Sequence, residues 1–307
     1  MTTSTPTLLE ALGDRTGTVG RRTLHTWIAL LILYTVWGST YLALAWVVDG
    51  LPPFLSAGAR FVLAGTGLVL VGRARSEAWP SLREAGRAVP IGILFFVVGN
   101  GFVAMATREV ASSIAAIACG AMPLLTVLIG AALGDRPARR ELIGVGLGLV
   151  GLVVMFGSEL RANSPSVWLL ALAPLGWAVG SQLTRRWGTR GGFVGAGLPM
   201  FLGGVGALIV SATLQESLVL SSLTWRPVAA FLYLVIVGSM VAFTAFMWLL
   251  KNARPSVATS YAYVNPAVAM LLGVVLGGES LTLASIFGGA LIASGVYLVI
   301  ARRQGSA

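Results

Sequence analysis

The sequence has 307 residues, of which 56% are hydrophobic and only 10% are charged, and its mean hydropathy is +0.87. Because soluble domains carry about 25% charged residues, this composition excludes a soluble globular protein and indicates a polytopic membrane protein. The net charge of +10 comes from 20 Arg, one Lys and 11 acidic residues. One cysteine, Cys119, excludes an intrachain disulfide, and one histidine, His25, leaves metal binding and His-based catalysis without candidates. We therefore expect neither a metal nor a cofactor.

Ten apolar segments long enough to cross a bilayer follow one another along the chain. Unbroken apolar runs are typical of helices, whereas the strands of an outer-membrane barrel alternate apolar and polar residues. The predicted spans are 27–48, 54–72, 89–106, 110–133, 142–158, 167–184, 193–213, 228–249, 257–276 and 282–301, flanked by an N-terminal segment, 1–26, and a tail, 302–307. The sequence thus predicts an all-α polytopic membrane protein.

The basic residues alternate between the two sides of these spans. With a cytoplasmic N-terminus, 17 of the 21 Lys and Arg residues fall in cytoplasmic segments, three in outer loops and one, Arg60, within a span. Because basic residues favour cytoplasmic loops, this distribution predicts that both termini are cytoplasmic. Orientation and contact with anionic lipid therefore account for the positive charge, and nucleic acid is not an expected partner.

The two halves of the chain share features in the same order. Trp37 and Trp177 are each the eleventh residue of their span, and Met122-Pro123 matches Asn265-Pro266 at an offset of 143. Because each half has five spans, an odd number, the second half enters the membrane from the opposite side. Inverted repeats of this kind underlie alternating-access carriers, although a duplicated scaffold is the alternative. The predicted repeats are 27–158 and 167–301.

Several strings of residues point to one family. They are Trp37-Gly38-Ser39-Thr40-Tyr41-Leu42, Pro52-Pro53-Phe54-Leu55 before Arg60-Phe61, Gly99-Asn100-Gly101, Ser113-Ile114-Ala115-Ala116, and Ser260-Tyr261-Ala262-Tyr263-Val264-Asn265-Pro266 followed by Gly277-Gly278-Glu279. Together they resemble the EamA family of the drug/metabolite transporter superfamily, in particular its YedA-like exporters. The resemblance implies ten helices in two repeats and efflux of small metabolites, amino acids or drugs across a bacterial inner membrane. The implied partners are a small-molecule substrate and membrane lipid.

Interrupted helices near the middle of the membrane are where carriers bind substrate. Pro123 and Pro266 each free a carbonyl four residues earlier, so both are predicted helix breaks beside a cavity, or else tolerated kinks. Met122, which precedes the first proline, is a candidate lining residue.

Three polar residues accompany the second proline. Tyr261 and Asn265 share a helix face and are predicted to meet the cavity, whereas Tyr263, a further candidate, points away from that face. The alternative is that these groups form hydrogen bonds between helices.

Further candidates for substrate binding lie in the first, third and sixth spans. Trp37 and Trp177 are candidate aromatic walls, with ordinary packing as the alternative. Ser39 and Thr40 either bind substrate or donate to the carbonyl one turn back. Asn100 lies between two glycines and either binds substrate or joins two helices.

Arg60 is the single charged residue within a predicted span. Three roles are open for its side chain. It could form an ion pair with Asp49 or another outer acid, it could bind substrate or act in a gate, or it could extend to the membrane surface. Glu109 and Glu279 are potential partners or helix caps. Asp49, Glu109 and Glu279 are also the candidates for a gate or for ion coupling.

The absence of two kinds of motif limits the mechanism. No Gly-Lys pair is present, so the chain has no P-loop for ATP, and all 11 acidic residues lie outside the spans or at their edges. These features predict a facilitative or weakly proton-coupled exporter of a neutral, zwitterionic or amphipathic solute. The alternatives are a non-transporting scaffold or receptor and a polytopic membrane enzyme, and we expect no enzyme because intramembrane reactive groups are missing.

Small residues recur in the fifth and tenth spans, at Gly144, Gly148, Ser285, Gly289 and Ala293. Such residues allow helices to approach closely, either within a monomer or across a homodimer.

Overall fold

The computed structural model describes residues 24–134, 136–161, 165–187, 191–219, 223–252 and 261–300, and within these ranges the chain forms helices and no strands. We number the helices α1 to α10 in chain order. They are α1 (Leu24–Val48), α2 (Pro53–Ala74), α3 (Leu82–Ala106), α4 (Ser112–Ala132), α5 (Arg139–Arg161), α6 (Pro165–Arg186), α7 (Gly192–Thr213), α8 (Trp225–Tyr233, Leu234–Val241 and Ala242–Asn252 in succession), α9 (Tyr261–Gly277) and α10 (Leu283–Ile300).

Seven helices, α1 to α4 and α6 to α8, are long and apolar enough to cross a membrane. The last two helices contain the shorter apolar stretches Val264–Gly277 and Leu283–Leu298. Many large apolar side chains point outwards, among them Leu31, Leu70 and Ile209, as a lipid environment requires. Each helix overlaps one predicted span, while the count of ten membrane crossings stays a prediction.

Local sequence signals determine where helices begin. The chain enters α2 at Pro53, where the fixed φ of proline suits the first helical position. Ser81 caps α3 by accepting the N–H of Glu84, and the Glu84 carboxylate accepts the N–H of Ser81 in return.

Helices α2 and α7 pack antiparallel along their length through glycines. A Cβ at Gly65 would lie 2.5 Å from the backbone nitrogen of Phe201, and one at Gly204 would lie 2.6 Å from the nitrogen of Val62. Only glycine permits so close an approach of the two backbones.

A second glycine-rich contact joins α5 to α10. A Cβ at Gly151 would lie 2.6 Å from the carbonyl oxygen of Gly288, and one at Gly295 would lie 2.4 Å from that of Gly144. Gly148 in turn packs on Leu124 of α4. These small residues therefore serve packing within one chain, and a homodimer stays a prediction.

Two glutamates close the ends of the α2–α7 pair. The Glu216 carboxylate, beyond the end of α7, accepts the N–H groups of Phe54 and Leu55 at the start of α2, at 3.2 and 2.8 Å. Glu77, beyond the end of α2, accepts those of Phe193 and Val194 at the start of α7, at 3.0 and 2.8 Å. Each acid thus satisfies otherwise unpaired donors at a helix N-terminus.

Three helices widen into π-helical turns. These turns are Leu33–Trp37 in α1, Ile93–Gly101 in α3 and Leu234–Val241 in α8. π-Helical turns are rare and are frequent at functional sites. All three contribute residues to the cavity described next.

Candidate functional site

A cavity of about 130 Å³ lies between helices of both halves of the chain. One water molecule needs about 10–15 Å³ by this measure, so the space admits several waters or a small solute. Helices α1–α4 and α6–α9 all contribute to its walls. The residues that line it are Trp37, Thr40, Tyr41, Leu44, Arg60, Phe61, Phe96, Gly99, Asn100, Val103, Ala116, Cys119, Gly120, Met122, Pro174, Trp177, Met200, Gly238, Ser239, Phe243, Tyr261, Ala262, Asn265 and Pro266.

Most of the residues predicted from the sequence meet at this cavity. Ser39 and Pro123 are not among its described lining residues, and the side chain of Tyr263 lies outside the described part of the structure. Substrate binding by any of them stays a prediction. The predicted residues that line the cavity are Trp37, Thr40, Arg60, Asn100, Met122, Trp177, Tyr261, Asn265 and Pro266.

Each of the two mid-span tryptophans packs against a glycine from the other half of the chain. The indole Nε1 of Trp37 donates to the carbonyl oxygen of Gly238 at 3.2 Å. A Cβ at Gly99 would lie 2.5 Å from Cδ1 of Trp177. Trp37 also meets Tyr261 edge to face, with 4.9 Å between ring centroids. Trp–glycine contacts between α1 and α8 and between α6 and α3 therefore form two aromatic walls.

The hydroxyl groups that follow Trp37 donate to carbonyls of their own helix. Thr40 Oγ1 donates to the carbonyl of Trp37 at 2.6 Å, and Ser39 Oγ to that of Val36 at 2.8 Å. Ser39 also shares a 2.6 Å hydrogen bond with the hydroxyl of Tyr233 on α8. Ser39 thus joins two helices, whereas Thr40 lines the cavity.

Asn100 is held by its own helix. Its Nδ2 donates to the carbonyl of Phe95, five residues earlier, at 2.8 Å. That spacing matches the wide turn of Ile93–Gly101, where carbonyls pair five residues along the chain. The amide therefore supports the π-helical turn while it lines the cavity.

Arg60 is buried, with 7% of its surface exposed, and it faces the cavity. Its Nε donates to Ser239 Oγ at 2.8 Å, and its guanidinium carbon lies 4.7 Å from the ring centroid of Phe61. Within the described residues it forms no ion pair, so the expected pair with Asp49 or another outer acid is not observed. The reason is geometric, since α2 packs on α7 and α8 and brings Ser239, not an acid, to the guanidinium.

The three edge acids lie elsewhere. Asp49 is exposed at the end of α1. Glu109 accepts the Ser166 hydroxyl at 2.5 Å, and Glu279 accepts N–H groups at the start of α4. Both glutamates therefore act as caps or tethers here, and their roles in a gate or in coupling stay predictions.

Hydrogen bonds control the ionisation of Glu279. Its carboxylate accepts from the N–H and hydroxyl of Ser112, at 2.8 and 2.6 Å, and from the N–H of Ser113 at 3.1 Å. Burial raises the pKa of Glu279, but these hydrogen bonds outweigh it and hold the pKa below its usual range. The carboxylate is thus ionised at neutral pH.

The two prolines behave differently. Helix α4 is interrupted at Ala121, immediately before Met122 and Pro123. Helix α9 instead continues through Pro266 from Tyr261 to Gly277, so the predicted break there is corrected to a proline within a continuous helix. Membrane helices tolerate an internal proline where a neighbouring helix packs against it, and a Cβ at Gly120 of α4 would lie 2.9 Å from the Pro266 ring and 3.3 Å from the Ala262 carbonyl oxygen.

Asn265 is buried beside the proline, with 6% of its surface exposed. Its Oδ1 has no hydrogen-bond partner among the described residues. An unpaired buried acceptor costs about 1–3 kcal/mol, so a donor that reached this oxygen would be favoured, and substrate binding by Asn265 stays a prediction.

Sequence reasoning missed lining residues that the repeat could have revealed. Ser239 follows Gly238 just as Asn100 follows Gly99, 139 positions earlier, and both pairs line the cavity. Met200 lies 139 positions after Phe61, and both line the cavity. Extending the internal alignment to the third and eighth spans would have found Ser239 from Asn100, and the same offset in the second and seventh spans pairs Phe61 with Met200.

Residues 25–157 and 164–301 each match the EamA-like transporter family. The chain belongs to this family. It is 37% identical over 265 residues to the "Uncharacterized inner membrane transporter YedA" of Escherichia coli strain K12, with 85% of this chain and 86% of that protein covered. Membership of this family indicates that the cavity belongs to a membrane transporter with a role in efflux, and it makes an enzyme unexpected.

Two more distant relatives cover a similar share of the chain. Protein PecM of Dickeya dadantii is 27% identical over 271 residues, covering 86% of this chain and 88% of PecM. A "Probable amino-acid metabolite efflux pump" of Escherichia coli strain K12 is 24% identical over 293 residues, covering 88% of this chain and 93% of the pump.

The fold matches one that is known from crystallography. A crystal structure with 24% sequence identity superposes with a TM-score of 0.62 and covers 91% of this chain and 97% of its own. At this identity the likeness concerns the fold alone.

Proposed function

We propose that this chain is a multi-pass carrier of the bacterial inner membrane that exports a small metabolite, amino acid or drug-like solute by alternating access. The observation that carries the proposal is the cavity, whose polar and aromatic lining comes from both halves of the chain. The inner-membrane location follows the name of YedA, and amino-acid efflux follows that of the more distant pump.

The proposed topology has ten crossings in two inverted repeats, 27–158 and 167–301, with both termini in the cytoplasm. The distribution of basic residues supports it. The reciprocal caps by Glu77 and Glu216 also support it, because inverted copies of a hairpin make the same contact twice.

The proposed transport is facilitative or weakly proton-coupled. The described lining residues include no carboxylate, and Glu279 is held ionised at the start of α4. A proton-coupled carrier usually titrates an intramembrane acid during its cycle.

Flux into proteoliposomes tests the proposal. Purified protein should exchange radiolabelled amino acids faster than empty vesicles. Substrate-driven proton flux that E279Q abolishes would contradict the facilitative mechanism. Failure to move any solute in a broad panel would contradict transport itself.

The native cysteine provides a direct test of the alternative, a scaffold or receptor. Cys119 is the single cysteine of the sequence and lines the cavity. A carrier exposes this thiol to water, so a hydrophilic thiosulfonate should label the native protein and not C119S. Cysteines placed at Thr40 and Met122 in a C119S background extend the test. Complete protection of all three positions would favour the scaffold.

A further inference from the structure

We infer that Arg60 and Ser239 form a carboxylate-binding subsite, so that the transported solute is a monoanion or zwitterion whose carboxylate contacts the Arg60 guanidinium. This inference rests on the proposed carrier function and specifies its substrate class.

The first support is the unpaired charge. Arginine remains protonated in proteins, and a charge in a low-dielectric interior is costly unless it is paired. The described residues offer the guanidinium one hydroxyl acceptor, Ser239, and one ring, Phe61. A neutral hydroxyl and an aromatic face do not neutralise it, so an anion in the cavity would supply the missing countercharge.

The second support is the direction of the guanidinium fork. Nε is already used by Ser239 Oγ, while Nη1 and Nη2 have no acceptor among the described residues. Two parallel N–H groups at this end match the two oxygens of a carboxylate. Ser239 thereby holds Nε, and Arg60 lines the cavity, where a carboxylate would reach the other two nitrogens.

The third support is the rest of the lining. Arg60 is the single Lys or Arg residue among the described lining residues. Its one positive charge balances one negative charge on a solute, whereas a phosphate dianion would keep one negative charge unbalanced. The position equivalent to Arg60 in the second half, 139 residues later, is Pro199, so the charge is present on one side only. Trp37 and Tyr261 offer aromatic faces to an apolar body, and Asn265 Oδ1, which has no hydrogen-bond partner among the described residues, can accept a donor.

Binding measured by tryptophan fluorescence on the purified full-length protein tests the inference. The probes share one apolar body and differ in charge: 3-phenylpropanoate, its neutral amide, and the cation 2-phenylethylamine. The carboxylate should bind at least about tenfold more tightly than the amide, as expected for hydrogen bonds to a charged group. The cation should bind more weakly still, because Arg60 repels it.

Variants separate a binding role from a structural one. R60Q should remove the preference of the carboxylate over the amide, and R60K should retain part of it because the charge remains. S239A should weaken carboxylate binding by freeing the guanidinium to rotate. The matched control is R226Q, which removes an exposed arginine that stacks on Trp46 outside the cavity. It should leave the preference unchanged.

Three results would overturn the inference. They are equal binding of carboxylate and amide by the native protein, retention of the preference in R60Q, and loss of the preference in R226Q. The native comparison needs no variant, so it remains decisive even where R60Q fails to fold. Vesicle flux of neutral solutes with no carboxylate preference would reject the subsite and keep the carrier, whereas no flux of any solute would reject the carrier.

Discussion

Glu77 and Glu216 make the same contact in opposite directions. The Glu77 carboxylate, beyond the end of α2, accepts two backbone N–H groups at the start of α7, and the Glu216 carboxylate, beyond the end of α7, accepts two at the start of α2. The two acids are 139 positions apart. Each is preceded by a residue with positive φ, Ser76 at 61° and Gln215 at 53°. These turns direct the chain back towards the partner helix, so the α2–α7 pair is closed at both ends.

We expect E77A and E216A to destabilise the protein equally. Each removes the acceptor for two helix N-terminal donors, which corresponds to about 1 kcal/mol at a helix cap. Thermal unfolding in detergent should show similar decreases in Tm for the two variants. E84A, which disrupts the exposed cap of α3, is the comparison for a cap that does not join helices. A large effect in only one of E77A and E216A would contradict their equivalence.

The glycine contact between α2 and α7 should not tolerate even one methyl group. In G65A the new Cβ would lie 2.5 Å from the backbone nitrogen of Phe201, so the helices must separate. We expect a loss of about 1–3 kcal/mol, typical of overpacking. The control is G86A on α3, where nothing lies within 4 Å and alanine favours the helix. Equal melting temperatures for G65A and G86A would argue against close packing here.

The Trp–glycine contacts predict unequal effects on transport. G99A would place Cβ 2.5 Å from the Trp177 ring, whereas G238A would bring it no closer than 3.2 Å, to Cγ2 of Thr40. We therefore expect G99A to reduce proteoliposome flux severalfold more than G238A when the protein is present in equal amount. If G238A is the more damaging substitution, Trp177 is not positioned by Gly99 as described.

Stability should depend on Glu279 with a definite sign. Its pKa is lower in the folded protein than its ordinary value of 4.5, so the unfolded state binds the proton more tightly. The stabilisation by the carboxylate is therefore complete above that value and is lost as pH falls through the lower folded pKa.

The measurement is the difference in Tm between the native protein and E279Q across pH. It should be constant from about pH 8 to about pH 5 and shrink at more acidic pH. A difference that changes near neutral pH would mean that Glu279 titrates there, and would reopen its candidacy for proton coupling.

Much of the helical architecture follows from the sequence. In a membrane the backbone must satisfy its own hydrogen bonds, so an apolar run of about twenty residues reads directly as a helix. The internal repeat also predicted that Trp37, Trp177, Met122 and Asn265 belong together, and all four line one cavity. The spacing along the chain predicts this shared location because equivalent positions in two inverted copies face the same two-fold axis between the repeats.

Other relationships required the tertiary structure. Arg60 meets Ser239, 179 residues away, and not Asp49, while Ser39 meets Tyr233 across two helices. Helix α9 continues through Pro266, which packs against Gly120 of α4. Hydropathy and motifs determine which segments become helices, but partners across helices depend on how glycine-rich faces let particular helices approach. The sequence alone therefore predicted one isolated charge within a span, and only the packing decided that this charge faces a cavity whose described lining residues include no acidic side chain.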